Sequence, residues 1–108
     1  MAPDHQTLSP AEWQLLCVVY ELEAPVGVHN VSEQTDRWSY STVQTLLRRI
    51  TEKGWLKKKT AGKRLSLFTP TISFEEAVEI RLRGLLERDF LWNAKVTKQA
   101  RKAIRNVL

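Results

Sequence analysis

One cysteine, Cys17, is all the thiol the chain contains. A single thiol permits no internal disulfide, which fits a reducing cytoplasm, the expected location. The two histidines, His5 and His29, stand apart from it and from each other, so they make no zinc site of ordinary spacing. No glycine-rich phosphate loop appears. No apolar run approaches the roughly 18 residues that span a bilayer. The first six residues lack the basic and apolar regions of a signal peptide. An enzyme, a metal centre, a cofactor and a membrane association are therefore not expected. Basic residues are also missing from one long stretch. Residues 1–36 hold six acids and no Lys or Arg, whereas residues 37–64 hold nine bases against Glu52 alone. Residues 65–92 have three bases and five acids, and residues 93–108 have five bases and no acid. The overall +5 thus conceals a +8 block beside a −6 block. Such a block is the electrostatic footprint of a polyanion partner. A basic face that is merely solvated is the bland alternative.

The 108 residues suit one small domain with a modest core, and 43% hydrophobic content argues for a globular chain. The first seven residues read as loose. Ser9-Pro10-Ala11-Glu12 then supplies an N-cap, a proline at the first helical position and a capping-box glutamate. A helix is predicted from Pro10 to about Glu23. Trp13, Leu16, Cys17 and Tyr20 form one apolar face, and Leu15, Val18, Val19 and Leu22 a second. Ala24-Pro25-Val26-Gly27 breaks that helix. Val28 to about Thr35 is a short, weak helix, and Asp36-Arg37-Trp38 turns into the next one.

That next helix, Ser39 to Lys53, organises the chain. Val43, Leu46, Leu47 and Ile50 recur at i, i+3, i+4 and i+7 and share one face. Ser41, Thr45, Arg48 and Glu52 point the opposite way, flanked by Thr42, Gln44 and Arg49. Ser39 is the N-cap and Gly54 the left-handed stop. Taken alone, this is equally the pattern of an ordinary surface helix. Hydroxyls, an amide and arginines are, however, the groups that hydrogen-bond base edges and phosphates. After Gly54 the period shortens: residues 55–59 and 65–69 read as strands, with residues 60–64 as a basic turn. Leu65, Leu67 and Thr69 show the alternation. Two helices joined by a turn and followed by a hairpin make a winged helix-turn-helix. Ser73-Phe74-Glu75-Glu76 opens a further helix to about Trp92. Gly84 within it points to close packing or a bend. A last basic helix carries Val96, Ala100, Ala103, Ile104 and Val107.

Here the residues carry a resemblance. Leu8-Ser9-Pro10-Ala11-Glu12-Trp13 and the run from Trp38 to Ile50 resemble the penicillinase-repressor family. Glu52-Lys53-Gly54-Trp55-Leu56 and Phe68-Thr69-Pro70 continue the match, over roughly residues 8–80. The resemblance implies a winged-helix domain, a homodimer built by C-terminal helices, and repression by operator binding. It departs from some members in three ways. The part beyond Trp92 is shorter than usual and matches poorly. Without Cys-x-Cys pairs, the metal sensing of copper-type members is unsupported. The Asn-Phe bond cleaved in antibiotic-resistance members is absent, since the asparagines precede Val31, Ala94 and Val107. The inducer, a protease or otherwise, stays open.

The expected fold is mostly α with a small β-hairpin: a winged helix-turn-helix over residues 8–71, then helical dimerisation elements over 72–108. The expected partners are a palindromic double-stranded operator and a second copy of the chain. Ser41, Thr42, Gln44, Thr45 and Arg48 are assigned to base edges. Trp38, Ser39, Arg49, Lys57, Lys59, Lys63 and Arg64 are assigned to the DNA backbone. Phe74, Val78, Leu82, Leu85, Leu86, Leu91, Trp92, Val96, Ala100, Ile104 and Val107 are assigned to the dimer interface, although the C-terminal helices folding back on the first helix is an alternative. The other function class is a winged-helix module for protein contact.

Overall fold

The computed structural model describes residues 5–62, 64–89 and 94–107. Its elements run α1 (Pro10–Glu21), β1 (Val26–Gly27), α2 (Val28–Gln34), α3 (Tyr40–Glu52), β2 (Leu56–Ala61), β3 (Leu65–Pro70), α4 (Phe74–Asp89) and α5 (Ala94–Val107). The chain is mostly helical with one three-stranded antiparallel sheet of order β1-β3-β2. This is a winged helix. The chain divides after Phe74 into two compact units.

In the first unit, α3 packs against α1, α2 and β2. All four residues of its expected apolar face, Val43, Leu46, Leu47 and Ile50, are buried. Leu15, Leu16 and Val19 of α1, Val31 of α2, and Trp55, Leu56 and Phe68 near the sheet complete the core. Each such side chain contributes about 1.5–3 kcal/mol by leaving water. Ser9 caps α1 and Ser39 caps α3, each hydroxyl accepting from the amide three residues on. Gly54, at φ 93°, ends α3 in the left-handed region that a β-carbon disfavours.

Three sequence expectations change. The segment 24–27 is more than a helix break, because Val26 and Gly27 pair with Phe68 and Leu67 as a third strand. A two-residue strand carries no readable period. Residues 5–7 are not loose: Gln6 donates its amide to the Lys53 carbonyl at 3.0 Å, and Trp55 Nε1 donates to the Gln6 carbonyl at 2.7 Å. The His5 ring meets Trp55 edge-on with centroids 5.0 Å apart. Thr60 and Ala61 belong to β2 rather than the turn, since Ala61 pairs with Leu65. The inward residue of β3 is Phe68, whereas Leu65 is 53% exposed. The alternation of Leu65, Leu67 and Thr69 therefore marks the outer face of the ribbon.

Glu12 does more than complete a capping box. It is 2% exposed, and its carboxylate accepts from the Ser9 amide and from Lys53 Nζ, both at 2.7 Å. Burial by itself raises the carboxyl pKa. The Lys53 bond, the Ser9 bonds and the ammonium charge outweigh it and hold the group below its ordinary value.

Phe74, at the end of the first unit, stacks on Trp13 at 6.5 Å and leans on Tyr20 at 5.2 Å. The Tyr20 hydroxyl donates to the Ile72 carbonyl at 2.9 Å. In the second unit, Val78 and Leu86 of α4 are half-buried while Leu82 and Leu85 are exposed. A β-carbon at Gly84 would meet nothing within 4 Å among the described residues, so of the two expected reasons for a glycine there, close packing or a bend, close packing is not found. Val107 of α5 is 84% exposed. Leu91 and Trp92 lie outside the described residues, as do the side chains of Val96, Ala100 and Ile104.

Candidate nucleic-acid interface

With its apolar face spent on the core, α3 turns Ser41, Thr42, Gln44, Arg48 and Arg49 outward, all exposed, with Thr45 half-buried beside them. The hydroxyls are ordered before any partner arrives. Ser39 Oγ donates to Thr42 Oγ1 at 2.9 Å and lies 3.2 Å from Ser41 Oγ. Thr45 Oγ1 donates back to the Ser41 carbonyl at 3.1 Å. With that proton used inside the helix, Thr45 offers a methyl group and a lone pair to a partner. The Arg48 guanidinium is bonded to Glu52, Nη1 to Oε1 at 3.1 Å.

A cleft of about 580 Å³ runs between this face of α3 and the ribbon. Gln44, Thr45, Arg48, Thr51 and Glu52 line one wall, Lys58, Ser66 and Phe68 the other, and Val28 also contributes. Lys58 pairs with Phe68 across the ribbon and shares its face. Lys57 and Lys59 point from the opposite face, because successive strand residues alternate. The assignment of Lys57 and Lys59 thus passes over Lys58, the described lysine of the ribbon that lines the cleft. The inward position of Phe68, once known, identifies Lys58 by strand alternation alone.

The turn before α3 holds Trp38, half-buried, with the Arg37 guanidinium 5.4 Å from its ring centroid. This is a cation–π pair at the helix entry. At the far end of the ribbon, Gly62 turns at φ 70° beside exposed Arg64. Lys63 lies outside the described residues. Tyr40, the first residue of α3, is 51% exposed and was not assigned a role from sequence. The helix start projects its ring outward.

The model of the penicillinase repressor family matches residues 8–104. The chain belongs to that family. The match reaches past the residues 8–80 expected from motifs and takes in most of α5. A Latilactobacillus sakei protein, an uncharacterised 16.5 kDa product in the ptsI 3′ region, is 30% identical over 93 residues, 81% of this chain and 60% of its own. A penicillinase repressor of Bacillus licheniformis is 29% identical over 84 residues, 75% of this chain and 64% of its own. The chain therefore spans less than two thirds of either relative. The family is one of repressors rather than an enzyme class. Among the described residues no helix is long and apolar enough to cross a membrane, and no cluster of His, Cys, Asp and Glu suits a metal ion.

Proposed function

We propose that the protein is a sequence-specific DNA-binding transcriptional repressor that binds a palindromic operator as a homodimer. The observation that carries this reading is α3 itself. Its outward stripe of Ser41, Thr42, Gln44, Thr45 and Arg48 sits within the +8 block and faces a basic ribbon. A helix of this diameter fits the major groove, where every base pair presents a distinct donor and acceptor pattern. Arg48 takes a guanine through two N–H groups, and Thr42 and Thr45 meet thymine methyls. Ser39, Trp38, Arg49 and the ribbon cations, Lys58 among them, hold phosphates and set the register. Family membership and the resemblance to a penicillinase repressor support the repressor role.

A duplex library exposed to the full chain at two salt concentrations tests the reading. The expected result is an enriched sequence whose affinity falls steeply with salt, as counterion release requires. Arg48→Ala is expected to cost about 1–3 kcal/mol on the enriched duplex and to relax one position. Binding that ignores both salt and sequence would turn the assignment toward a protein partner.

A further inference from the structure

The outer stripe of α3 closes on an acid, and stability does not explain it. Glu52 is the single acid among residues 37–64. It sits in the last turn of α3, where the helix dipole disfavours negative charge. Its partner Arg48 lies one turn earlier, and a base preceding an acid is the weaker order for such a pair. Both side chains are more than 60% exposed, at 63% and 61%, so the ion pair itself contributes little. The pair nonetheless occupies the cleft beside Gln44, Thr45 and Lys58.

We propose that Glu52 is a specificity-determining residue, which competes with DNA phosphates for the Arg48 guanidinium and reserves it for a base edge. The proposal rests on the assignment of α3 to the major groove. A guanidinium carries five N–H donors in a fixed fork. Glu52 accepts one N–H of Nη1 and leaves the rest of the fork for a guanine edge. On a wrong sequence, an unrestrained arginine swings to the nearest phosphate and recovers affinity there. Held by Glu52, it gives up its carboxylate before it gains a phosphate, so the wrong duplex gains less. Specificity is a difference between two affinities, and a group that weakens the wrong complex widens it.

The test compares the full-length wild-type chain with Glu52→Gln, Glu52→Asp, Arg48→Ala and the Arg48→Ala/Glu52→Gln pair. Each is titrated by fluorescence anisotropy on a duplex selected from a random library and on a mixed-sequence duplex. Glu52→Gln is expected to tighten binding to the mixed duplex about three- to tenfold at 0.1 M salt, the effect of one added phosphate contact. The selected duplex gains less, so the ratio narrows. Glu52→Asp keeps the charge but shortens the reach, and it also narrows the ratio. In the Arg48→Ala background the Glu52 substitution no longer changes the ratio. Equal gains on both duplexes, no gain on either, or a ratio effect that survives without Arg48 overturns the proposal. A wild-type chain with no salt-dependent affinity for any duplex sinks the α3 assignment and this proposal with it. A wild-type chain that discriminates through Arg48 yet ignores Glu52 overturns the proposal alone.

Discussion

Glu12 and Lys53 show how a single side chain carries two tasks. The Glu12 carboxylate closes the capping box of α1 and, 41 residues away, holds the end of α3 through Lys53. Glu12→Gln keeps an acceptor for the Ser9 amide but loses the charge, and is expected to cost about 1.5–3 kcal/mol near neutral pH. The carboxyl titrates below its ordinary value when folded. Its stabilisation is therefore complete above the ordinary carboxylate value and disappears as pH falls through the lower folded one. Urea melts near pH 7 and near pH 3 check this: the gap between wild type and Glu12→Gln shrinks in acid, and a gap that widens there contradicts the ion pair. Thr45 makes an equally specific prediction. Its hydroxyl proton is committed to the Ser41 carbonyl, so only the methyl is available for a thymine. Thr45→Val then retains operator affinity, while Thr45→Ser loses about 1 kcal/mol, the worth of one buried methyl group. The reverse order in an anisotropy titration would make the hydroxyl the reading group.

Among the elements, α3 was the most legible, because its partition between core and solvent is written in a single period. All four predicted core residues are buried, and the predicted outer residues are exposed or half-buried. The capping box fixed where α1 begins, since Ser9 and Glu12 act within one turn. What sequence left out is long-range or too short to have a period. Strand β1 exists because Phe68 and Leu67 offer an edge to Val26 and Gly27, and nothing local announces it. Lys58 faces the cleft because Phe68 across the ribbon faces inward, which three consecutive lysines cannot reveal. In α4, Gly84 has open space around it among the described residues, so packing against them does not account for it. Gly84→Ala is expected to raise the melting stability of the full chain by up to about 1 kcal/mol through helix propensity. The variant is measured by thermal melts and sedimentation together. A loss of association on the same substitution places Gly84 against a second chain.

At the scale of the whole molecule, the proposed twofold operator would be only half read by one winged unit. The first unit, ending at Phe74, has its own core and ties its last residues down through Tyr20 to Ile72 and Phe74 to Trp13. The second leaves Leu82, Leu85 and Val107 in water. Scattered apolar residues on a surface mean little, but a stripe along one helix is a face that wants cover. In the proposed homodimer, a second copy of the same stripe would cover it with twofold symmetry and add a second recognition helix. Half-sites would then lie about 34–36 Å apart, or a multiple of that spacing. Linking the two binding events turns the second into an intramolecular one, so avidity exceeds single-site affinity by roughly 100-fold or more without any new contact to DNA. A chain ending at Phe74 is therefore expected to stay folded and to sediment as a monomer. It should bind one half-site about as the full chain does, and the palindrome at least tenfold more weakly than the full chain. The salt slope on the palindrome should fall to about half, since half the phosphates are contacted. If the full chain sediments as a monomer at micromolar concentration and still binds the palindrome at undiminished strength, the exposed leucines of α4 serve some other purpose than pairing.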